Sequence, residues 1–302
     1  SYLAQDEGYY ALQARWIVEK GNWLAPVWWN DVVFDRTIGV QWLIAICQKV
    51  FGMNIFSAHI PSLLAAIITL LLTYEISKIL TDKYLAWTSP IILATTYIWI
   101  NNVHLATQDM PLLAIEMLAI WSLLTLEKNK NYKLFIIGLT IGFAILLKSV
   151  MVIIPILSII PYIAVYKKEI IKYKMFWFGL LIGLIPFLTW ISLSINEYGF
   201  DKVSLLITKI SHLSTSNDFS KSYFYYLWNI PANTLPWSII SIFGIINILK
   251  SNNNRNKLIL CLYPIIFIVL LSLFKTKTPY YPLQISPFIA INSTFALKKI
   301  NE

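Results

Sequence analysis

Charge is what this 302-residue chain has least of: 13% of its residues are Asp, Glu, Lys or Arg, and 15 are acidic. A soluble domain carries roughly 25% charged residues, so about half of the charge that coats a globular surface is missing. That excludes most soluble enzymes and any disordered chain. Cysteine is nearly absent too, Cys47 and Cys261 being the two present. They lie far apart in apolar stretches and offer neither a metal-ligand spacing nor a disulfide framework. There is also no glycine-rich phosphate loop, so nothing points to a bound nucleotide.

What fills the chain instead is apolar residues, 58% of the total, with 15% aromatic and a mean hydropathy of +0.65. They come in blocks, such as 55–80 and 175–195, long enough for the roughly 30 Å hydrocarbon core of a bilayer. Charges bound nine such blocks, near 56–80, 84–103, 110–126, 132–147, 149–166, 175–196, 223–249, 258–274 and 280–297. Backbone polar groups must be paired inside lipid, so these spans are expected to be α-helices, with prolines such as Pro155, Pro161 and Pro186 tolerated. The expected fold is an all-α polytopic membrane protein in one transmembrane domain, 1–302. In it, 1–55 forms an outside loop with interfacial helices, and 56–297 holds the spans with a further outside loop near 197–222. The abrupt polar start at Ser1 is expected to mark a piece lacking an upstream helix.

The formal net charge of +9 is distributed as topology, not as a nucleic-acid surface. Alternating sides puts 14 of the 24 basic residues in short connections on one side, including Lys128, Lys130, Lys133, Lys167, Lys168, Lys172 and Lys174. That side is expected to be cytoplasmic. The apolar stretch 38–51 is too short to span and reads as an interfacial helix. That reading keeps 1–55 wholly outside and brings Asp6 and Asp109 to the same face.

With acids so scarce, their placement is informative. The first segment reads Asp6-Glu7-Gly8-Tyr9-Tyr10-Ala11, then Gly21-Asn22-Trp23, then Asp35-Arg36, before the interfacial helix ending Phe51-Gly52. Asp109 opens the block at 110–126, where it reads equally as a helix N-cap ahead of Pro111. Asp6 reads equally as a solvated loop carboxylate. Lys148 and Lys277 sit at block ends, where lysines commonly snorkel. Glu116, two turns inside a span, is expected to make a helix-packing hydrogen bond. The aromatic and basic stretch 200–235 reads as an interface belt or as a loop that closes over a substrate. Trp23, Trp28 and Trp29 are likewise split between belt and sugar stacking.

At these residues the chain resembles the aminoarabinose and protein mannosyl transferases, glycosyltransferases of the C-type membrane fold that use a sugar on a polyprenyl phosphate. Three later motifs match in order: Gly142-Phe143-Ala144-Ile145-Leu146-Leu147-Lys148, Leu235-Pro236-Trp237 and Lys275-Thr276-Lys277-Thr278-Pro279-Tyr280-Tyr281-Pro282. The resemblance implies inverting transfer of a sugar to an acceptor hydroxyl of a lipid, glycan or protein. It places the reaction on the outer face of what is expected to be a bacterial cytoplasmic membrane. Asp6 stands at the catalytic aspartate and Asp109 at the second essential acid. Glu7, Tyr10, Arg36, Lys148, Lys277 and Tyr281 are the implied substrate-binding residues, the cations meeting the lipid phosphate.

The chain departs from the family in one stretch. It reads Asp35-Arg36-Thr37-Ile38 where Glu-Lys-Pro-Pro is common, and Asp35 with His212 is the implied divalent-metal pair of some members. The competing class is a transporter or flippase of lipid-linked saccharides. That class would place ionisable groups at the midplane and show inverted repeats. Here the acids gather at one face and Glu116 is the main intramembrane carboxylate.

Overall fold

The structure is a computed structural model and describes residues 5–29, 31–208 and 221–301. Helix dominates, as the apolar blocks predict. The first segment folds as α1 (Gln5–Lys20), a two-stranded hairpin of β1 (Val27–Trp28) and β2 (Asp31–Val32), and α2 (Gly39–Phe51). Then come α3 (Ile55–Leu80), α4 (Thr88–Ala94), α5 (Tyr97–Asn102), α6 (Asp109–Leu124), α7 (Lys130–Lys148), α8 (Ile153–Tyr166), α9 (Lys174–Tyr198) and the single turn α10 (Phe200–Val203). The remainder is α11 (Tyr225–Thr234), α12 (Trp237–Lys250), α13 (Asn254–Leu273, with a π turn at Lys257–Leu262) and α14 (Ser286–Asn301).

Among the described residues, four helical stretches are long and apolar enough to cross a bilayer: Ile55–Leu80, Lys130–Tyr166, Lys174–Tyr198 and Asn254–Leu273. A fifth is made if α11 and α12 count as one bent span. The other expected spans hold shorter helices: 84–103 is the broken pair α4 and α5, 110–126 the 16-residue α6, and 280–297 a 3-10 turn leading into the 16-residue α14. The expected span 223–249 is not straight. It bends by 108° between α11 and α12 at Leu235-Pro236, where proline has no N–H to continue the helical ladder. The run Lys130–Tyr166 folds back at Ser149, whose φ is +50°, since Lys130 and Tyr166 line one cavity at its open end. That reversal matches the sequence boundary between 132–147 and 149–166.

Loops segregate to the two ends of the bundle. At one end Asn256 Nδ2 donates to Leu80 O (2.9 Å), Arg255 donates to Leu124 O (3.1 Å), and Lys167 and Lys298 pair with Glu127 and Asp82. This is the basic end that the charge pattern predicts. At the other end the first segment covers the bundle. Trp190 Nε1 and Ser194 Oγ of α9 both donate to Leu24 O (2.8 and 2.9 Å), and Phe34 is buried between Trp190 and Tyr198. Trp42 of α2 donates to Trp23 O (2.9 Å). These anchors hold the chain from Trp23 to Phe34 in place and so aim Asp35 and Arg36. α2 is a short apolar helix of 13 residues. Both cysteines are free thiols.

Candidate active site

At the covered end lies a cavity of about 390 Å³. Asp6, Glu7, Tyr10, Asp35, Arg36, Asp109, Lys148 and Tyr281 all line it, although they come from five separate stretches of chain. Eight of the ten residues singled out in the sequence therefore converge. Lys277 does not join them. Its buried ammonium turns away, donating to Phe274 O (2.6 Å) and Lys221 O (3.2 Å), and so it ties two loops together. His212 lies outside the described residues. Asp35 accepts from Arg36 Nε at 3.2 Å. Among the described residues no three His, Cys, Asp or Glu side chains gather as a ligand set.

Asp109 is not the N-cap that its position suggests. Gln108 holds that place and Asp109 is the first residue of α6. Its carboxylate forms a salt bridge to the ammonium of Lys148, the last residue of α7, and both side chains are buried. Lys148 is therefore no snorkelling lysine; a buried acid demands its charge. The next residue, Ser149, carries the left-handed backbone that reverses the chain, and such strain persists where surrounding packing enforces it. The Lys148 ammonium also faces the Tyr281 ring at 5.0 Å.

Arg36 is clamped between aromatic faces, its guanidinium carbon 4.7 Å from the Tyr9 ring centre and 4.8 Å from that of Tyr10. Stacking of this kind suits guanidinium's planar, weakly hydrated charge and fixes its direction. Burial pushes the Tyr9 and Tyr10 phenols above their ordinary pKa, with Arg36 opposing. Tyr9 packs in turn on Trp28 with ring centres 4.5 Å apart. Asp6, by contrast, is exposed to the cavity and accepts a long hydrogen bond from Tyr280 (3.4 Å).

Two contributors were missed in the sequence. Tyr280 lines the cavity beside Tyr281 and reaches Asp6. His59, from the apolar block of α3, binds the buried Glu7 carboxylate, whose Oε1 also accepts the Ala106 N–H at 3.0 Å. A histidine lone among apolar residues was the available signal. Glu116 makes the packing bond expected of it, accepting from the Tyr263 hydroxyl.

Comparison with known proteins matches residues 35–192 to the family described as dolichyl-phosphate-mannose-protein mannosyltransferase. One curated relative is the undecaprenyl phosphate-alpha-4-amino-4-deoxy-L-arabinose arabinosyl transferase of Wigglesworthia glossinidia brevipalpis. It is 30% identical over 290 residues, covering 91% of this chain and 51% of the relative. The arabinosyl transferase 1 of Pseudomonas fluorescens (strain Pf0-1) is 22% identical over 295 residues, covering 91% and 50%. The chain thus spans about half the length of the curated relatives it matches. Among solved structures, ArnT from Cupriavidus metallidurans bound to undecaprenyl phosphate superposes with a TM-score of 0.87 at 20% identity, over 98% of this chain and 56% of that one. The Archaeoglobus fulgidus oligosaccharyltransferase shares the fold more distantly, at a TM-score of 0.64 and 12% identity, over 98% and 46%.

Proposed function

Since the chain belongs to the dolichyl-phosphate-mannose-protein mannosyltransferase family, we propose that it is the catalytic transmembrane part of a glycosyltransferase that moves a sugar from a polyprenyl phosphate to an acceptor hydroxyl. The observation that carries this reading is the convergence of Asp6, the Asp109–Lys148 pair, stacked Arg36 and Tyr281 on one cavity at the end opposite the lysine-rich loops. The proposed protein crosses the bacterial inner membrane nine times, its shorter helices included, with the cavity facing the periplasm. The names of the relatives, which specify undecaprenyl phosphate carrying an aminoarabinose, support a lipid-phosphate donor.

In the proposed reaction the acceptor oxygen attacks the anomeric carbon as its proton passes to Asp6. The bond from that carbon to the phosphate oxygen breaks, and its electrons leave on the polyprenyl phosphate. A single displacement of this kind inverts the anomeric centre. Asp6 suits the base role because its carboxylate faces the cavity with one weak protein partner, whereas Asp109 is already engaged by Lys148. Asp109 then orients the acceptor or a polar group on the sugar. Arg36 meets the growing charge on the leaving phosphate, with Lys148 beside it.

Membranes carrying the full-length protein, given labelled sugar on polyprenyl phosphate, are expected to pass label to an acceptor and accumulate polyprenyl phosphate. Movement of intact donor across the bilayer, with the sugar–phosphate bond uncut, would overturn the reading in favour of a transporter.

A further inference from the structure

Asp6 and Asp109 are more than 100 residues apart in the chain, yet the chemistry above needs both at one substrate. Helix α1 carries the first and the first residue of α6 is the second. One side chain joins them. Glu7 follows Asp6 directly, is 4% exposed, and its Oε1 accepts the Ala106 N–H at 3.0 Å, three residues ahead of Asp109. The same oxygen meets Nε2 of His59, the fifth residue of α3, whose side chain is 16% exposed. His59 does not line the cavity, while Glu7 does.

A buried carboxylate left short of donors costs free energy and swings toward other partners or water. His59 supplies a donor from a helix that is packed on both α2 and α6, so it fixes the direction from which Glu7 reaches the backbone. We propose that His59 is a positioning residue: through Glu7 it sets the spacing between Asp6 and the segment that presents Asp109. This inference rests on the glycosyl-transfer reading and extends it to a residue outside the cavity. The role predicts an effect on turnover with little effect on donor binding, because Arg36 is held by the tyrosine stack instead.

The test uses the full-length protein in lipid nanodiscs with a polyprenyl-phosphate-linked sugar. His59→Phe should lower kcat by about 10- to 100-fold, the scale of a small misplacement of reacting groups. KM for the donor should stay within about threefold. His59→Gln, which keeps a nitrogen donor at similar reach, should recover kcat to within about fivefold, while the shorter His59→Asn should not. In a double-mutant cycle, Glu7→Leu with His59→Phe should be no slower than the slower single variant, because both break one link. Should the Phe variant fail to fold, the Gln and Asn variants make the same comparison. Wild-type kcat in His59→Phe, equal kcat in the Gln and Asn variants, or effects that multiply in the double variant would each overturn the inference. Absence of transfer by the unaltered protein would remove the glycosyl-transfer reading and this inference with it.

Discussion

Two of the cavity's cations are held in opposite ways, and the difference predicts how each responds to substitution. Lys148 is needed where it stands because Asp109 is buried against it. Lys148→Met leaves a carboxylate without its counter-charge and should cost about 3–5 kcal/mol of stability. Adding Asp109→Asn should restore part of that loss in thermal unfolding, since the stranded charge is gone. Arg36 instead leans on tyrosine rings and pairs with a less deeply buried Asp35, so Arg36→Ala should cost less stability than Lys148→Met. Donor use should weaken by about 1.5–3 kcal/mol, the worth of one charge-assisted bond, read as the change in kcat/KM. At this scale the sequence was informative because acids were scarce. With fifteen to choose from, those at membrane-edge positions stood out, and Asp6, Asp109 and Arg36 do line one cavity. Lys277 misled because a lysine at a block end looks the same whether its ammonium faces a phosphate or two backbone carbonyls. Tyr280 was hidden beside Tyr281, a second tyrosine in the same Pro279–Pro282 stretch.

The site's helices are placed by a backbone contact that allows no side chain. A Cβ on Gly138 of α7 would lie 2.1 Å from Phe176 O of α9, and one on Gly179 would lie 2.1 Å from Phe135 O. Close approach of this kind drives helix association in lipid, where apolar burial gives little net force. Gly138→Leu is therefore expected to pry α7 from α9 and lower stability by at least about 1–3 kcal/mol, the usual cost of overpacking. Denaturant unfolding in detergent checks this. Because α7 ends in Lys148, turnover should fall too. Helix existence was legible from hydropathy, since lipid leaves the backbone no other choice. The break at Pro236 and the division of 84–103 into two short helices were not, because apolar composition is blind to direction.

Across the whole molecule, the opposition of the two ends is the feature that composition foretold best. Lysines anchor one end, and at the other the first segment roofs a cavity lined by acids, arginine and tyrosines. Asn22, which donates to Tyr198 at 2.7 Å, marks the roofed end, and Asn253, which caps the N-terminus of α13, marks the other. Single cysteines at these positions should be labelled by an impermeant reagent from opposite sides of a sealed membrane. Labelling of both from one side would break the topology. The decisive measurement of whether Asp6 and Asp109 serve sugar transfer at this cavity is turnover of a polyprenyl-phosphate sugar in Asp6→Asn and Asp109→Asn variants that still elute as folded protein. Turnover should fall by at least about a hundredfold in Asp6→Asn, the scale of a general base, and clearly in Asp109→Asn. Full turnover in both variants would contradict that role.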